Sequence, residues 1–411
     1  MRWLLTVALL CCLALAQETP PVYVPLDDRP PSWSPCGWGG LVRCPPPELY
    51  RGREGADPEA LAAWLGRSGA SRVVASLDAL IYGGLVQSRS SSLTAIQARA
   101  RLAALEPLKR SGRVWAFGVI PRHPDSTNRA RNLEVLGALG SGFAYVEAPW
   151  DDALPGSPAV AEAATLNIPT RPGADEAGQV LLLRALNPGL RVKVIYDDPR
   201  APKQVTRYDG IALEQAISRL LAAAGAEAVE RRPDLVLMVY SGNDPRRGVL
   251  TLLRGQREAP VAIADIARVN RGDPSLVRYL VQLNLYADLA AYASWGTPSN
   301  NLGSALAQGG LFAPTTCTLG EACAELRRQT LAQAFLEYLW GEVGRPWVRE
   351  RFPEPLTEEA ARYAFERLRA EPAPQFGDNR LEPLGLSFPW RRSFEARWRY
   401  QLTPLWKTIY R

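Results

Sequence analysis

Acids and small polar clusters recur at the ends of short apolar runs along this sequence. Asp27 and Asp28 follow Val22–Leu26, Asp78 follows Val73–Leu77, and Arg122 follows Val114–Ile120. Asp151 and Asp152 follow Phe143–Ala148, and Asp175 and Glu176 follow Asn167–Arg171. Asp197 and Asp198 come after Val192–Tyr196, Asn243 and Asp244 after Leu235–Tyr240, and Asp265 after Val261–Ile263. If these runs are parallel strands, the polar residues collect at the carboxyl edge, where barrels and open α/β sheets both place their sites.

A rim of carboxylates has two chemical uses. Two acids in different environments can hold separated pKa values, one donating a proton while the other acts as base or nucleophile, which is the logic of glycoside hydrolysis. Clustered oxygens can instead bind Ca²⁺ or Mg²⁺. A blander account is that Asp caps the helix that follows a strand, and it covers part of the set, Asp197 and Asp198 before a proline included. Trp150, Trp295, Tyr82 and Tyr292 lie next to the run ends. Aromatic faces there suit sugar rings, although core packing accounts for any one of them as well.

Histidine chemistry has almost no material: His123 is the single histidine in 411 residues. A histidine-rich zinc or non-haem iron site is excluded, and at most one residue could serve a Ser-His-Asp or Cys-His catalyst. Beside a proline in a loop, His123 reads as structural or solvated in preference to a substrate contact. Ser241-Gly242-Asn243 lacks the flanks of a nucleophile elbow. Gly83-Gly84 and Gly309-Gly310 fit neither dinucleotide nor Walker A patterns, so they are backbone glycines. No cofactor and no metal are called for.

The elements that must position these residues alternate between apolar runs and helical patterns, as in an α/β domain with a mainly parallel sheet. Eight or nine runs in about 275 residues fit the count and length of a (β/α)8 barrel. A doubly wound open parallel sheet is the alternative. From about Leu319 the pattern is helical through Trp340 and on to Leu368, followed by a proline-rich hinge and an aromatic tail to Trp406. The expected division is a leader over 1–16, an α/β catalytic-like domain over 17–315, and a helical appendage with a closing C-terminal segment, packed on the same domain, over 316–411.

The leader has the form of a secretory signal: Arg2, an apolar stretch from Trp3 to Leu15, and Ala14-Leu15-Ala16 as a cleavage site. The stretch is shorter than the roughly 20 residues of a spanning helix. Cys11 and Cys12 would leave with it. The remaining cysteines form two close pairs, Cys36 with Cys44 and Cys317 with Cys323, and an even count in an exported chain favours disulfides over a four-thiolate zinc site. A secreted or periplasmic protein with no membrane span after cleavage is expected. The formal charge is +6, yet no basic run carries interleaved aromatics, so nucleic-acid binding has no specific support.

Several segments, in order, resemble the bacterial family catalogued as domain of unknown function 4127. They are Pro25-Leu26-Asp27-Asp28-Arg29-Pro30, Ser76–Leu85 with Asp78 and Tyr82, the pair Asp151-Asp152, and Gly173-Ala174-Asp175-Glu176. Tyr292–Gly303 with Trp295, Asn300 and Asn301 follows, then Asp378-Asn379-Arg380, Phe388-Pro389-Trp390 and Phe394-Glu395. Two departures stand out: a short segment between the third and fourth strands, and Pro298 within the asparagine-rich run. The resemblance implies one family architecture and carries no activity, substrate or cofactor.

The leading expectation is a secreted carbohydrate-active enzyme, a glycoside hydrolase acting on a carbohydrate or cell-envelope glycan. Asp151 and Asp152 are the expected catalytic pair, with Asp175 and Glu176 in reserve. Asp27, Asp28, Arg29, Asp78, Tyr82, Arg122, Asn243, Asp244, Trp295, Asn300, Asn301, Asp378, Asn379 and Arg380 are the expected substrate contacts. Two other readings remain open: a non-catalytic envelope protein that binds sugars or peptides, and a metal-assisted hydrolase with an all-oxygen site.

Overall fold

The computed structural model describes residues 19–110, 112–123, 126–317 and 319–405. The expected leader, its cleavage after Ala16, and Trp406 at the end of the tail lie outside these residues.

Parallel strands form two separate sheets. The first has the order β1 (Val22–Val24), β2 (Val73–Ser76), β3 (Val114–Phe117) and β4 (Tyr145–Glu147), in register from Val22 opposite Val73 to Trp115 opposite Tyr145. Beyond β4 the sheet continues as single parallel bridges from Ile120 to Trp150 and from Trp150 to Pro172. The second sheet runs β6 (Glu227–Ala228), β5 (Arg191–Tyr196), β7 (Leu235–Tyr240), β8 (Val261–Asp265) and β9 (Ala291–Ala293). β7 and β8 are buried at every position, as strands covered on both faces must be.

Five helices bear on the site: α1 (Leu77–Tyr82), α2 (Leu85–Ser90), α3 (Ala177–Leu186), α4 (Pro298–Phe312) and α5 (Ala322–Leu339). Two of them explain why a single closed barrel, the expected architecture, does not form. α3 packs on β2 and β3, α4 packs on β8 and β9, and the two helices pack on each other. They make a helical layer between the sheets. A barrel's outer helix needs one apolar stripe, whereas α4 is buried at every residue except Gln308, the pattern of an internal helix. Among the described residues no strand of one sheet pairs with the other, so the sheets stay open, in keeping with the open-sheet alternative. One apolar core joins Val74 and Phe117 of the first sheet to Val180, Leu302, Leu306, Leu237 and Ala264.

Glycines make the close layering possible. A Cβ on Gly309 would stand 2.8 Å from the Ala262 Cβ, and one on Gly310 would stand 2.7 Å from a Leu190 methyl. Asn167–Arg171, expected as a strand, forms none: the Pro169 and Arg171 carbonyls accept the Ala148 and Trp150 N–H groups, and the bridge falls next to it at Pro172. The last quarter begins helical as expected, through α5, a π-helical turn at Trp340–Gly344 and helices at Arg345–Arg351 and Glu358–Leu368. It then forms an unexpected antiparallel sheet of β10 (Gln375–Phe376), β11 (Asn379–Ser387) and β12 (Arg397–Pro404). Both expected cysteine pairs, Cys36–Cys44 and Cys317–Cys323, are disulfides. No helix among the described residues is long and apolar enough to cross a membrane.

Candidate functional site

At the end of β1 the chain turns sharply, and the Asp27 carboxylate accepts hydrogen bonds from the Arg29 backbone N–H at 3.1 Å and from its Nε at 2.9 Å. The same guanidinium reaches across to Asp175, with Nη2 2.5 Å from Oδ1. Burial works against the Arg29 charge, but Asp175 and Asp27 outweigh it and hold it protonated. Burial also pushes the Asp27 carboxyl up, against the pull of Arg29. Arg29 is thus a buried clamp joining the first strand to the loop after Pro172.

Asp151 and Asp152 follow Trp150, which is fully buried, bridges Ile120 and Pro172, and donates its indole N–H to the Asp209 carbonyl at 3.0 Å. Trp150 is therefore core, not a sugar platform. The Asp151 carboxylate is ion-paired with Arg89, which α2 presents, and Asp152 lies 4.0 Å from Arg122. Burial raises the Asp151 carboxyl; Arg89 pulls it down and Asp175 adds to the rise. Burial and the neighbouring Asp151 push Asp152 up to about 7, with Arg122 opposing. Asp151, Asp152 and Asp175 therefore share one field, interleaved with Arg29, Arg89 and Arg122. Their side chains are 15%, 16% and 12% exposed, enough for a ligand to touch.

Glu176, expected beside Asp175 as a catalytic acid, faces the other way. It is fully buried against Arg171, whose Nη1 donates to it at 2.6 Å while Nε and Nη2 hold Glu147 at 3.0–3.2 Å. Burial and the neighbouring Asp175 raise its carboxyl, Arg171 opposing. With its side chain fully buried in this ion pair, it braces the loop that carries Asp175. Asp78 is also buried: it accepts the Val119 N–H at 2.7 Å, tying the ends of β2 and β3, and burial pushes its carboxyl up to about 7. Tyr82 is buried, with the Arg131 guanidinium 4.6 Å over its ring.

The rim of the second sheet is a separate set. Asn243 donates to Asp198, which is paired with Arg200 at 2.8 Å and pulled down to about 2 by it. Asp244 caps the following helix through the Arg246 N–H, and Asp197 accepts from the N–H and hydroxyl of Ser241. Asp265 accepts three hydrogen bonds, from the Asp273 and Ala267 amides and the Tyr292 hydroxyl, and burial pushes it up to about 7. Asn301 donates to the Asp265 carbonyl and accepts the Gly296 N–H. These are loop-tying and capping roles. Asn300 keeps a buried side-chain oxygen with no partner among the described residues. Asp378 and Arg380, with Asn379, sit at the β10–β11 turn, where the first two are exposed and the Asn379 side chain donates to the Phe376 carbonyl. His123 is exposed.

Sequence reasoning missed the C-terminal contributors. The Trp390 indole N–H donates to Asp28 at 2.7 Å, its ring lies 5.2 Å from the Arg29 guanidinium, and Arg397 donates to the Asp28 carbonyl at 2.6 Å. A cavity of about 40 Å³ next to the clamp is lined by Arg29, Asp175, Trp295, Glu337, Arg345 and Glu395. It adjoins a second cavity of about 310 Å³ through Pro30, Pro31, Trp295 and Glu337. Asp175 reaches the first cavity, while Asp151 and Asp152 line neither. Arg89 was missed too; its only signal was its place just after the Gly83-Gly84 turn. Among the described residues no three His, Cys, Asp or Glu side chains are grouped so as to hold a metal ion.

The family described as "Protein of unknown function (DUF4127)" matches residues 21–148 and 157–399 of this chain. No curated protein and no solved structure matches it.

Proposed function

The chain belongs to the DUF4127 family, and we propose that it is a secreted carbohydrate-active hydrolase working at the Asp151–Asp152–Asp175 rim. The observation that carries this reading is the unequal footing of three neighbouring acids. Asp152, pushed up to about 7 by burial and Asp151, holds a proton near neutral pH. Asp175 is ion-paired with Arg29 and Asp151 with Arg89, whose pull opposes the rise that burial gives Asp151. A protonated acid near an ion-paired carboxylate can divide the acid and base roles of glycoside hydrolysis.

Asp152 would protonate the leaving glycosidic oxygen. Asp175 would take a proton from the water that attacks the anomeric carbon, so the water's hydroxyl ends on the sugar and its proton on Asp175. Neighbours on an extended chain point apart, which favours a partner for Asp152 from another element, and Asp175 comes from the loop after Pro172. Arg29 would position Asp175. The expected leader and the two disulfides fit an oxidising, extracytoplasmic compartment.

The test is release of reducing ends from envelope glycans and aryl glycosides between pH 4 and 9. Asp152→Asn should cut kcat by roughly 10²–10⁴-fold, the usual contribution of a general acid, and should leave ligand binding intact. Wild-type activity should fall as pH rises past about 7, because the acid then loses its proton. A wild type that cleaves no glycan at any of these pH values would sink the reading. One observation favours a binding protein without turnover: Asp151 and Asp175 are both already engaged by arginines. Ligand binding with no cleavage would decide for it.

A further inference from the structure

The 310 Å³ cavity beside the clamp is not used by the chemistry above, and its lining has a distinct composition. Its volume lies at the lower end of the about 300–1,000 Å³ typical of small-molecule sites. One wall is the N-terminal excursion with Trp33, a second is α5 with Gln329, Gln333 and Glu337, and a third is Gln308 of α4. Gln308 is the single residue of α4 that is not buried, so the internal helix opens to solvent only at this cavity.

Each of these glutamines has its amide N–H₂ committed: Gln308 to the Gln179 oxygen at 3.1 Å, Gln329 to Glu325 at 2.9 Å, and Gln333 to Glu337 at 3.0 Å. Fixing the nitrogens orients the amides and leaves three carbonyl oxygens with no hydrogen-bond partner among the described residues. Ligand hydroxyls are the natural donors to such a set. Only two lining residues are charged, and both are muted. Arg397 is held by Asp28, with Nη2 2.6 Å from its carbonyl and 3.9 Å from its carboxylate. Burial pushes Glu337 up to about 7, so it is partly protonated at neutral pH. Trp33 and Trp295 complete the lining, and indole rings suit the C–H face of a sugar.

We infer that this cavity binds an uncharged sugar unit, with hydroxyls donated to Gln308, Gln329 and Gln333 and the ring against Trp295. For its choice of ligand the inference rests on the carbohydrate reading above; it does not require turnover. Trp295 and Glu337 line both cavities, so a chain seated here leads toward Arg29 and Asp175. The substrate class is then a neutral glycan, not a uronate or phosphorylated one, because an anion here would meet Glu337, and the arginine in the lining, Arg397, is already engaged by Asp28.

Intrinsic tryptophan fluorescence of the full mature chain, titrated with chito-, cello- and malto-oligosaccharides, tests this, with oligogalacturonate and a neutral peptide mixture as controls. At least one neutral sugar series should bind in preference to both controls. Gln333→Leu and Gln308→Leu should each weaken it roughly three- to tenfold, the loss of one neutral hydrogen bond, with an unchanged thermal midpoint. Trp295→Ala should abolish the signal change. Preference for oligogalacturonate or peptide, or glutamine variants that bind like wild type, would overturn the inference. A wild type that binds neutral sugars but never cleaves them defeats only the hydrolase reading. One that cleaves glycans while Gln333→Leu keeps the same KM defeats only this one.

Discussion

At the scale of the residue, the acids described above are placed by what they hold; burial raises Asp78, Asp152, Glu176 and Asp265, whereas Arg200 lowers Asp198. Asp78 is the clearest case: one carboxylate oxygen accepts the Val119 N–H, and burial lifts its pKa from 3.8 to about 7. The folded chain therefore keeps a proton between about pH 4 and 7 that the unfolded chain has released. Stability through this group is full below about pH 4 and is lost as pH rises toward 7. Asp78→Asn keeps an acceptor for Val119 without the ionisation. The variant should be more stable than wild type at pH 8, by at most about 4 kcal/mol at roughly 1.36 kcal/mol per pKa unit, and equal to it at pH 4. Thermal or urea midpoints across that range check this, and a variant that tracks the wild-type curve at every pH contradicts it. Asp265 titrates in the same direction, which is why the difference between variant and wild type is the quantity to read.

At the scale of the element, the two internal helices decide the architecture, and their glycines set how closely they approach. A Cβ on Gly303 of α4 would stand 2.4 Å from Cγ of Glu176, inside the buried Arg171 pair. Gly303→Ala should therefore cost about 1–3 kcal/mol through overpacking, read as a lower denaturant midpoint. Gly66→Ala, where a Cβ meets nothing within 4 Å on the helix Pro58–Arg67, should gain up to about 1 kcal/mol. Equal effects at the two sites would refute the close-approach account. The same helices show what the sequence could convey. Runs such as Leu235–Tyr240, rich in valine and bounded by turn residues, announced strands to within a residue. The layering was written in Pro298–Phe312, which carries no charged residue and so could not be an outer barrel helix. Asp151 and Asp152 were legible because the end of an apolar run is a local feature, and Asp175 was legible by the same pattern although its run forms only the bridge at Pro172. Arg89 meets Asp151 across 62 residues and Trp390 meets Asp28 across 362, and no local pattern encodes such contacts. The C-terminal strands were hidden by Arg397–Pro404, whose tryptophan, tyrosine and arginines resemble a mere aromatic tail.

At the scale of the whole molecule, the last 40 or so residues determine whether the second half is an independent unit or needs its closing sheet. The apolar cluster under that sheet mixes Val236 and Met238 of β7 and Val261 and Ile263 of β8 with Leu336 of α5, Phe376, Leu381 and Trp398. Phe376 is fully buried and Trp398 is 6% exposed, so neither is a surface ornament. Removing an aromatic side chain from a core costs about 3–5 kcal/mol, and native chains hold only about 5–15 kcal/mol in reserve. Deleting residues 370–411 removes Phe376, Leu381, Phe388 and Trp398 together and should leave no stable fold around β7 and β8. It also strips Trp390 and Glu395 from the wall beside Arg29 and Asp175. The truncated chain is therefore expected to lose its near-UV circular dichroism, become sensitive to protease within the second sheet, and show no cooperative thermal transition there. A truncated chain with native dichroism and an unchanged midpoint would instead mean that the C-terminal sheet is a separable cover, with the core beneath it self-sufficient. The contact of Trp390 and Arg397 with Asp28, at the far end of the sequence, argues against separability. The sheet touches the turn after β1 as well as the core of β7 and β8, so losing it perturbs both parallel sheets at once.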